Sequence, residues 1–156
     1  MAATSIRYGF SQSFEVPPQD AFVWSVDFQP DDIALMGEKG KRKVEWISED
    51  AVIITDTKGT GKDKVTKARL VRINPERLSW TNTHISGPNK HSQFWYEIVP
   101  DGKGGSRLDF TGLHINYGKK GTKADATRLA REYAKTDGAA WVLLAAAMEK
   151  DHRHQT

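Results

Sequence analysis

Apolar and polar residues alternate along the first segment of the chain, from Ser5 to Val16. The apolar side consists of Ile6, Tyr8, Phe10, Phe14 and Val16, with Gln12 among them. A period of two places these residues on one face of an extended chain, so the segment is predicted to be a half-buried β-strand. The consecutive prolines that follow Val16 end the alternation and therefore end the strand.

Two short helices are predicted directly after this strand. Apolar residues follow helical spacing from Gln19 to Phe28, and Pro18 suits the first turn because a proline lacks the N–H that would be unpaired there. Pro30 interrupts this helix. The acidic pair that opens the range from Asp31 to Met36 favours the start of a second helix.

The middle of the chain is rich in strands that are separated by turn-forming residues at hairpin spacing. The predicted strands are Lys43 to Ile47, Ala51 to Thr57, Val65 to Ile73, Leu78 to Ile85, His91 to Val99 and Ser106 to Ile115. Because short turns join consecutive strands, the sheet is predicted to be mostly antiparallel.

A long helix is predicted from Lys123 to about His152, with Thr122 as its N-cap. One face of the helix carries residues at three- and four-residue steps, namely Ala130, Tyr133, Asp137, Trp141, Leu144 and Met148. About 29 helical residues would span roughly 43 Å, enough to cross a small sheet. Gly138 interrupts this pattern, which indicates either a kink or a close contact.

Three segments in this order resemble the START-like (SRPBCC) superfamily. They are Phe14 to Trp24, Asn74 to Trp80 and Pro100 to Leu108, and they are similar to the strand-to-helix entry, a strand-turn-strand and a glycine-rich hairpin of that group. The resemblance implies an α+β helix-grip fold. A curved antiparallel sheet of about seven strands would wrap around the long C-terminal helix, with two short helices after the first strand and an apolar cavity between sheet and helix.

Strand parity predicts which side chains face that cavity. The inward set is mainly aromatic and includes a few polar groups. The predicted ligand-binding residues are Tyr8, Phe10, Trp80, Asn82, His84, Phe94, Tyr96, Phe110, His114, Tyr133, Trp141, Leu144 and Met148. A mostly apolar pocket with a handful of polar groups is typical of small-molecule sites. The alternative is that these aromatic residues simply fill the core.

His84 and His114 are the candidate polar pair of the cavity. Burial would lower the pKa of each imidazole and keep it neutral, as a hydrogen-bonding or proton-transferring group. The alternative is that they are unrelated histidines near strand ends, satisfied by solvent, because a register slip of one residue would turn either side chain outward.

Composition excludes several classes of site. The 156 residues fit a single domain spanning 1–156, and the absence of cysteine rules out disulfides, thiolate nucleophiles and cysteine-ligated metals. No metal site or cofactor is predicted. A cytoplasmic location is expected. Stable membrane insertion is not expected, because the most apolar stretch, Gly138 to Met148, is too short to span a bilayer.

The net charge of the chain is +3. The positive charges cluster in three Gly/Lys segments, which are Lys39 to Lys43, Lys58 to Lys67 and Lys119 to Lys123. These segments are interpreted as solvated turns, and the alternative is contact with an anionic partner such as a phosphorylated ligand. No nucleic-acid partner is predicted, because aromatic and basic residues do not interleave there.

The sequence therefore favours a non-enzymatic module that binds or transports a hydrophobic or aromatic small molecule. Two alternatives stay open. One is an enzyme of the polyketide cyclase type, in which a cavity histidine or tyrosine moves a proton. The other is a co-chaperone-type activator or adaptor that binds a protein partner.

Overall fold

The computed structural model describes residues 3–118 and 121–155, and within them the strands and helices follow the predicted order. The strands are β1 (Ala3–Phe14), β2 (Gly40–Ser48), β3 (Ala51–Lys58), β4 (Val65–Asn74), β5 (Ser79–Ser86), β6 (Gln93–Pro100) and β7 (Ser106–Tyr117). The helices are α1 (Pro18–Ser25), α2 (Asp32–Leu35) and α3 (Lys123–Gln155).

The strands form one curved, antiparallel sheet in the order β1-β7-β6-β5-β4-β3-β2, so β1 and β2 are its edges. Helix α3 packs against β1, α1 packs against β6, β7 and α3, and α2 contacts both β2 and α3. The two short helices therefore bridge α3 to the far side of the sheet. The predicted α+β helix-grip fold, with its seven-stranded sheet and long final helix, is confirmed.

The concave face of the sheet is set by the alternation of the strands. On β1 the buried or half-buried residues recur at every second position, and Tyr8 and Phe14 are among the buried ones. The same alternation buries Trp80 on β5 and Phe94 on β6, whereas Trp95 points outward and is 42% exposed. The predicted inward faces of these strands are therefore correct.

Helix α3 begins as predicted. The backbone N–H of Asp125 donates to Thr122 Oγ1 at 3.1 Å, and the Thr122 N–H donates to Asp125 Oδ2 at 3.1 Å. This reciprocal pair satisfies two N–H groups that a helix start leaves unpaired. The helix continues without a break through Gly138, where a Cβ would lie 3.9 Å from the ring of Phe10. That is an ordinary van der Waals distance, so the structure shows neither a break in the helix nor a steric need for glycine at this position.

Several predicted boundaries are wrong by a few residues, including the start of β2 at Gly40 rather than Lys43, and three of them have a local reason. Helix α1 ends at Ser25 rather than Phe28, because its last turn tightens and the Asp27 N–H bonds to Trp24 O. Strand β5 begins after Leu78, whose φ of 49° closes the preceding turn. His91, with a φ of 72°, likewise lies in a turn before β6. Neither left-handed residue can continue a strand.

Within residues 3–118 and 121–155, no helix is both long enough and apolar enough to cross a membrane. Of the third Gly/Lys segment, Lys119 and Lys120 lie outside the described residues.

Candidate functional site

Two adjoining cavities separate α3 from the concave face of the sheet. The first, here called the α1–α2 cavity, has a volume of about 360 Å³ and lies beneath the two short helices and the loop that joins them. The second, here called the histidine cavity, has a volume of about 460 Å³ and lies deeper toward β5, β6 and β7. The residues that border both are Met36, Arg42, Arg69, Asn82, Tyr96 and Trp141. The long helix thus covers the sheet without filling the space.

Nine of the thirteen predicted site residues line the histidine cavity. They are Tyr8, Asn82, His84, Phe94, Tyr96, Phe110, His114, Tyr133 and Trp141. Trp80 and Leu144 border only the α1–α2 cavity. The sequence-based prediction therefore brings most of its candidates together in one place.

Phe10, Met148 and Gln12 do not reach either cavity. Phe10 is stacked on Phe110 with ring centroids 4.6 Å apart, behind the cavity wall. Met148 is only 1% exposed and belongs to the main apolar core. Gln12 turns aside and donates from Nε2 to the backbone oxygen of Ser13 at 2.9 Å. Phe10 and Met148 are thus packed against neighbouring side chains, whereas Gln12 is half-exposed.

Polarity changes along the strands that form the concave face. On β3 the buried Val52 and Ile54 are followed by Asp56, and on β5 the buried Trp80 is followed by Asn82 and His84. The end of the sheet nearest α1 is therefore a dry apolar core, and the opposite end carries polar and charged groups. The histidine cavity is lined by the polar residues of these two strands.

Aromatic rings form the border between the two cavities. Trp80 and Tyr96 are stacked, with ring centroids 4.9 Å apart and planes within 3° of parallel. Trp141 from α3 is tilted against both, at 6.3 Å from Trp80 and 6.0 Å from Tyr96. Such rings offer flat apolar surfaces against which an aromatic guest can pack.

Sequence reasoning missed the charged residues of the histidine cavity. The wall includes Arg42, Asp56, Arg69 and Asp137, together with Lys58 and Lys67 from a segment interpreted as solvated turn. The parity rule contained the signal for three of them. Asp56 is two residues beyond Ile54, and Arg69 and Lys67 continue the inward face of Val71. The prediction included the aromatic residues of these faces and left out the charged ones.

Asp56 lies at the centre of a buried charge network. Arg42 Nε donates to Asp56 Oδ1 at 2.7 Å, and Arg42 Nη2 donates to Oδ2 at 2.9 Å. Arg69 Nη1 also donates to Asp56 Oδ2, at 2.9 Å. Arg42 Nη1 lies 3.5 Å from a carboxylate oxygen of Asp32. Residues on the three adjacent strands β2, β3 and β4 thus hold two guanidinium groups against the cavity.

The two arginines keep Asp56 ionised. Burial alone would raise the pKa of this carboxyl, but the hydrogen bonds and charges of Arg42 and Arg69 outweigh it, and the net pKa is lowered. Removing one member of a buried ion pair typically costs about 3–5 kcal/mol, because a charge is left uncompensated. The network therefore fixes this part of the wall.

His84 faces the cavity and stays neutral. Its side chain is only 7% exposed, it lies opposite Arg69 in the β4–β5 register, and its ring meets the Phe94 ring edge-on at 5.3 Å. Burial lowers its pKa from 6.5 to about 4, and the charges of Arg69 and Lys67 contribute to the decrease. The interpretation of His84 as a solvated strand-end residue does not agree with this placement.

His114 lies on the other side of the same cavity. Its ring is stacked on Tyr133 from α3, with centroids 4.5 Å apart and planes 29° from parallel. Burial lowers the pKa of His114 as well. Asn116 Nδ2 donates to the Tyr133 hydroxyl at 3.3 Å, which orients that ring.

Tyr8 and Asp137 connect β1 to α3 across the cavity. The Tyr8 hydroxyl donates to Asp137 Oδ2 at 2.5 Å. Burial raises the pKa of Asp137, although the Tyr8 hydrogen bond and the charge of Lys67 oppose the increase. Burial also raises the pKa of Tyr8, and the Asp137 charge adds to it. The site thus contains a carboxyl group that binds a proton more readily than usual.

Four buried polar atoms in the cavity wall have no hydrogen-bond partner among the residues that the structure describes. They are Arg69 Nε, Asn82 Oδ1, His84 Nδ1 and Asn89 Oδ1. The last three belong to side chains that are each 7% exposed. Leaving such an atom unpaired costs about 1–3 kcal/mol. Hydrogen bonds from a bound molecule or from water to these four atoms would therefore be favourable.

No group of three or more histidine, aspartate or glutamate side chains within the described part of the chain is arranged to hold a metal ion. The charged groups of the site are engaged with one another or directed into the cavity instead.

No protein-family model matches this sequence, and no curated protein does so either. Comparison with solved structures is informative about the fold. The chain is similar to the Zhui aromatase/cyclase from Streptomyces sp. R1128, with a TM-score of 0.76 and 11% sequence identity over 94% of this chain and 95% of that one.

Two further solved structures share the fold. The di-domain ARO/CYC StfQ of the steffimycin biosynthetic pathway matches with a TM-score of 0.75 and 11% identity, over 96% of this chain and 52% of that one. Ara h 8.0201 matches with a TM-score of 0.66 and 11% identity, over 93% and 98% of the two chains. At this identity the likeness establishes the helix-grip fold and leaves the function to the site.

Proposed function

We propose that this protein binds a small aromatic or hydrophobic molecule with polar substituents in the histidine cavity, with the α1–α2 cavity as its continuation. The observation that carries the proposal is the combination of open space, aromatic walls and unpaired buried polar atoms between α3 and the sheet. Ligand pockets typically enclose about 300–1,000 Å³ and are lined by apolar groups with a few placed polar ones.

The side chains that line the cavity indicate which interactions would contribute to the affinity for a ligand. Apolar burial against Trp141, Phe94 and Phe110 contributes about 25 cal/mol per Å² before ordering costs. The unpaired atoms of Asn82 and His84 provide orientation, because a guest that satisfies them removes an existing cost. Aromatase/cyclases and Ara h 8.0201 share this architecture, which supports a cavity-based function. A cytoplasmic location remains a prediction.

The proposal can be tested by filling the cavity from the helix side. Ala140 lines the histidine cavity, whereas its neighbour Ala139 is exposed on the same helix. We expect Ala140→Phe to abolish the binding of aromatic compounds and Ala139→Phe to leave binding unchanged. Binding is measured by quenching of tryptophan fluorescence during titration with a panel of flavonoids, aromatic polyketides and fatty acids.

Two results would contradict the proposal. One is equal binding by the Ala140→Phe and Ala139→Phe variants, which would place the guest outside the cavity. The other is the absence of any binding by the wild-type protein across the panel, which would favour the remaining alternative of recognition by a protein partner.

A second candidate function is proton transfer on a bound carbonyl compound, as in an enzyme of the polyketide cyclase type. The observation that favours it is Asp137, a half-buried carboxyl of raised pKa that accepts a hydrogen bond from Tyr8 inside the cavity. A general base is most effective when its pKa approaches the working pH. Neutral His84 and His114 could exchange a proton with the same guest.

Deuterium exchange at the α-carbon of 2-tetralone, an aromatic ketone, tests this second function. We expect the protein to accelerate exchange in D₂O and Asp137→Asn to reduce the acceleration about 100-fold or more. Glu132→Gln removes an exposed carboxylate from the same helix and is the matched control. Exchange at the buffer rate in the presence of wild-type protein would exclude the enzymatic function for this class of ketone.

A further inference from the structure

The cations that line the histidine cavity differ in what they already bind. Arg42 is bound to Asp56 through two hydrogen bonds, and Lys58 forms an ion pair with Glu38. Lys67, by contrast, has no ion-pair partner among the residues that the structure describes, although it lines the same wall. The described lining of this cavity carries four cations and two carboxyl groups, those of Asp56 and Asp137, so cations are in excess on the wall.

Arg69 is only partly paired. Its Nη1 donates to Asp56, but its Nε is buried and has no hydrogen-bond partner within the described residues. The Nε–H is a charge-assisted donor, and such donors form the stronger hydrogen bonds when they meet an anionic oxygen. Arg69 lies across the β4–β5 ladder from His84, so the free donor is located at the polar end of the cavity.

Lys67 lies close to the same group of side chains. Burial lowers the pKa of His84, and the charge of Lys67 lowers it further. Burial is also the main cause of the lowered pKa of Lys58, and Lys67 is the next. Because like charges crowd there, an added anion would relieve repulsion as well as form new contacts.

Two of the other unpaired atoms are acceptors. Asn82 Oδ1 and Asn89 Oδ1 are buried on the wall of the same cavity and receive no hydrogen bond from the described residues. A carboxylate cannot satisfy them, because it has no hydrogen to donate. A hydroxyl group on the guest can.

We propose that the ligand of the histidine cavity is a hydroxylated aromatic acid, whose anionic oxygen binds Arg69 Nε and Lys67 and whose hydroxyl donates to Asn82. The inference rests on the proposed binding function and specifies the class of molecule. The aromatic portion would lie against the Tyr96 and Trp141 rings, toward the α1–α2 cavity.

A matched pair of compounds separates charge from shape. The probes are 2-naphthoic acid, which is ionised at neutral pH, and 2-naphthamide, which has nearly the same shape and no charge. Isothermal titration calorimetry of the wild-type protein should show the acid binding at least about tenfold more tightly than the amide. This comparison needs no variant, so it does not depend on a substitution being tolerated.

Variants then locate the charge. We expect Lys67→Met to weaken the acid about tenfold and to leave the amide unchanged. Lys62→Met removes the same charge from the adjacent exposed turn, outside the cavity, and should change neither affinity. Adding a hydroxyl, as in 6-hydroxy-2-naphthoic acid, should strengthen binding to the wild-type protein, and Asn82→Leu should remove that gain.

The outcomes distinguish this inference from the proposed function. If acid and amide bind equally and Lys67→Met changes neither, the cavity binds aromatic molecules but the acidic class is wrong. If Lys62→Met lowers the affinity for the acid as much as Lys67→Met does, the effect comes from the net charge of the protein. The proposed binding of the anionic oxygen by Lys67 is then wrong. If neither compound binds, both the inference and the proposed function fail.

Discussion

The protonation state of His84 provides a quantitative test of the cavity. The side chain is 7% exposed and is surrounded by Phe94 and the cationic Arg69 and Lys67. A protonated imidazole is therefore unfavourable in the folded protein, whereas the unfolded chain accepts the proton at the ordinary pKa. Replacing His84 with Gln removes the titration and retains a polar side chain of similar length.

The sign and size of the effect follow from proton linkage. Between its ordinary pKa of 6.5 and its folded pKa of about 4, His84 binds a proton in the unfolded chain and not in the folded one. Its contribution to stability is fully present above the ordinary pKa and is lost as the pH falls toward the folded pKa. From about pH 7.5 to about pH 5, the expected loss is about 2 kcal/mol, at 1.36 kcal/mol per pKa unit.

Urea unfolding at the two pH values, followed by tryptophan fluorescence, measures this loss. The wild-type protein should lose about 2 kcal/mol more than His84→Gln over that interval. His154→Gln, which changes an exposed residue in the last turn of α3, should behave like the wild type. If the wild type and His84→Gln lose the same free energy, His84 is accessible to solvent and the burial argument is wrong.

Three further predictions concern the scaffold that shapes the cavity. Gly112→Ala places a Cβ 2.8 Å from the Tyr8 ring and should cost about 1–3 kcal/mol, measured as a lower urea midpoint. Gly138→Ala is the matched opposite case: the added Cβ lies 3.9 Å from Phe10, so thermal unfolding should show unchanged or higher stability, by up to about 1 kcal/mol. Thr122→Ala removes the cap of α3 and should cost about 1 kcal/mol, with faster amide exchange in its first turn. An unaltered midpoint in Gly112→Ala, a clear loss in Gly138→Ala or unchanged exchange in Thr122→Ala would each contradict the packing described.

Much of the fold could be predicted because local signals agree with one another. The alternation from Ser5 to Val16 has one consistent apolar face, and the chain from Lys123 onward contains no proline and begins with a capping residue. The errors arose where a single residue takes a conformation that its type rarely adopts. Leu78 and His91 have positive φ values, and no pattern in the neighbouring residues indicates it.

The site was predicted less completely, for a physical reason. Periodicity identifies which residues share a face, but a charged side chain on an inward face is stable only if a partner is present. The partners of Asp56 come from β2 and β4, so their pairing depends on register between strands. That register is set by the whole sheet. The pairing of Arg42 and Arg69 with Asp56 therefore could be recognised only once the sheet was assembled.

Occupation of the space between α3 and the sheet is the central claim, and the methionine methyl groups can test it directly. Met36 borders both cavities, whereas Met148 is 1% exposed in the dry core. In protein labelled with ¹³C at the methionine methyl groups, titration with 2-naphthoic acid should shift the Met36 resonance through the ring current of the guest and leave Met148 in place. Saturable binding that leaves the Met36 resonance unmoved would place the guest elsewhere and contradict the account.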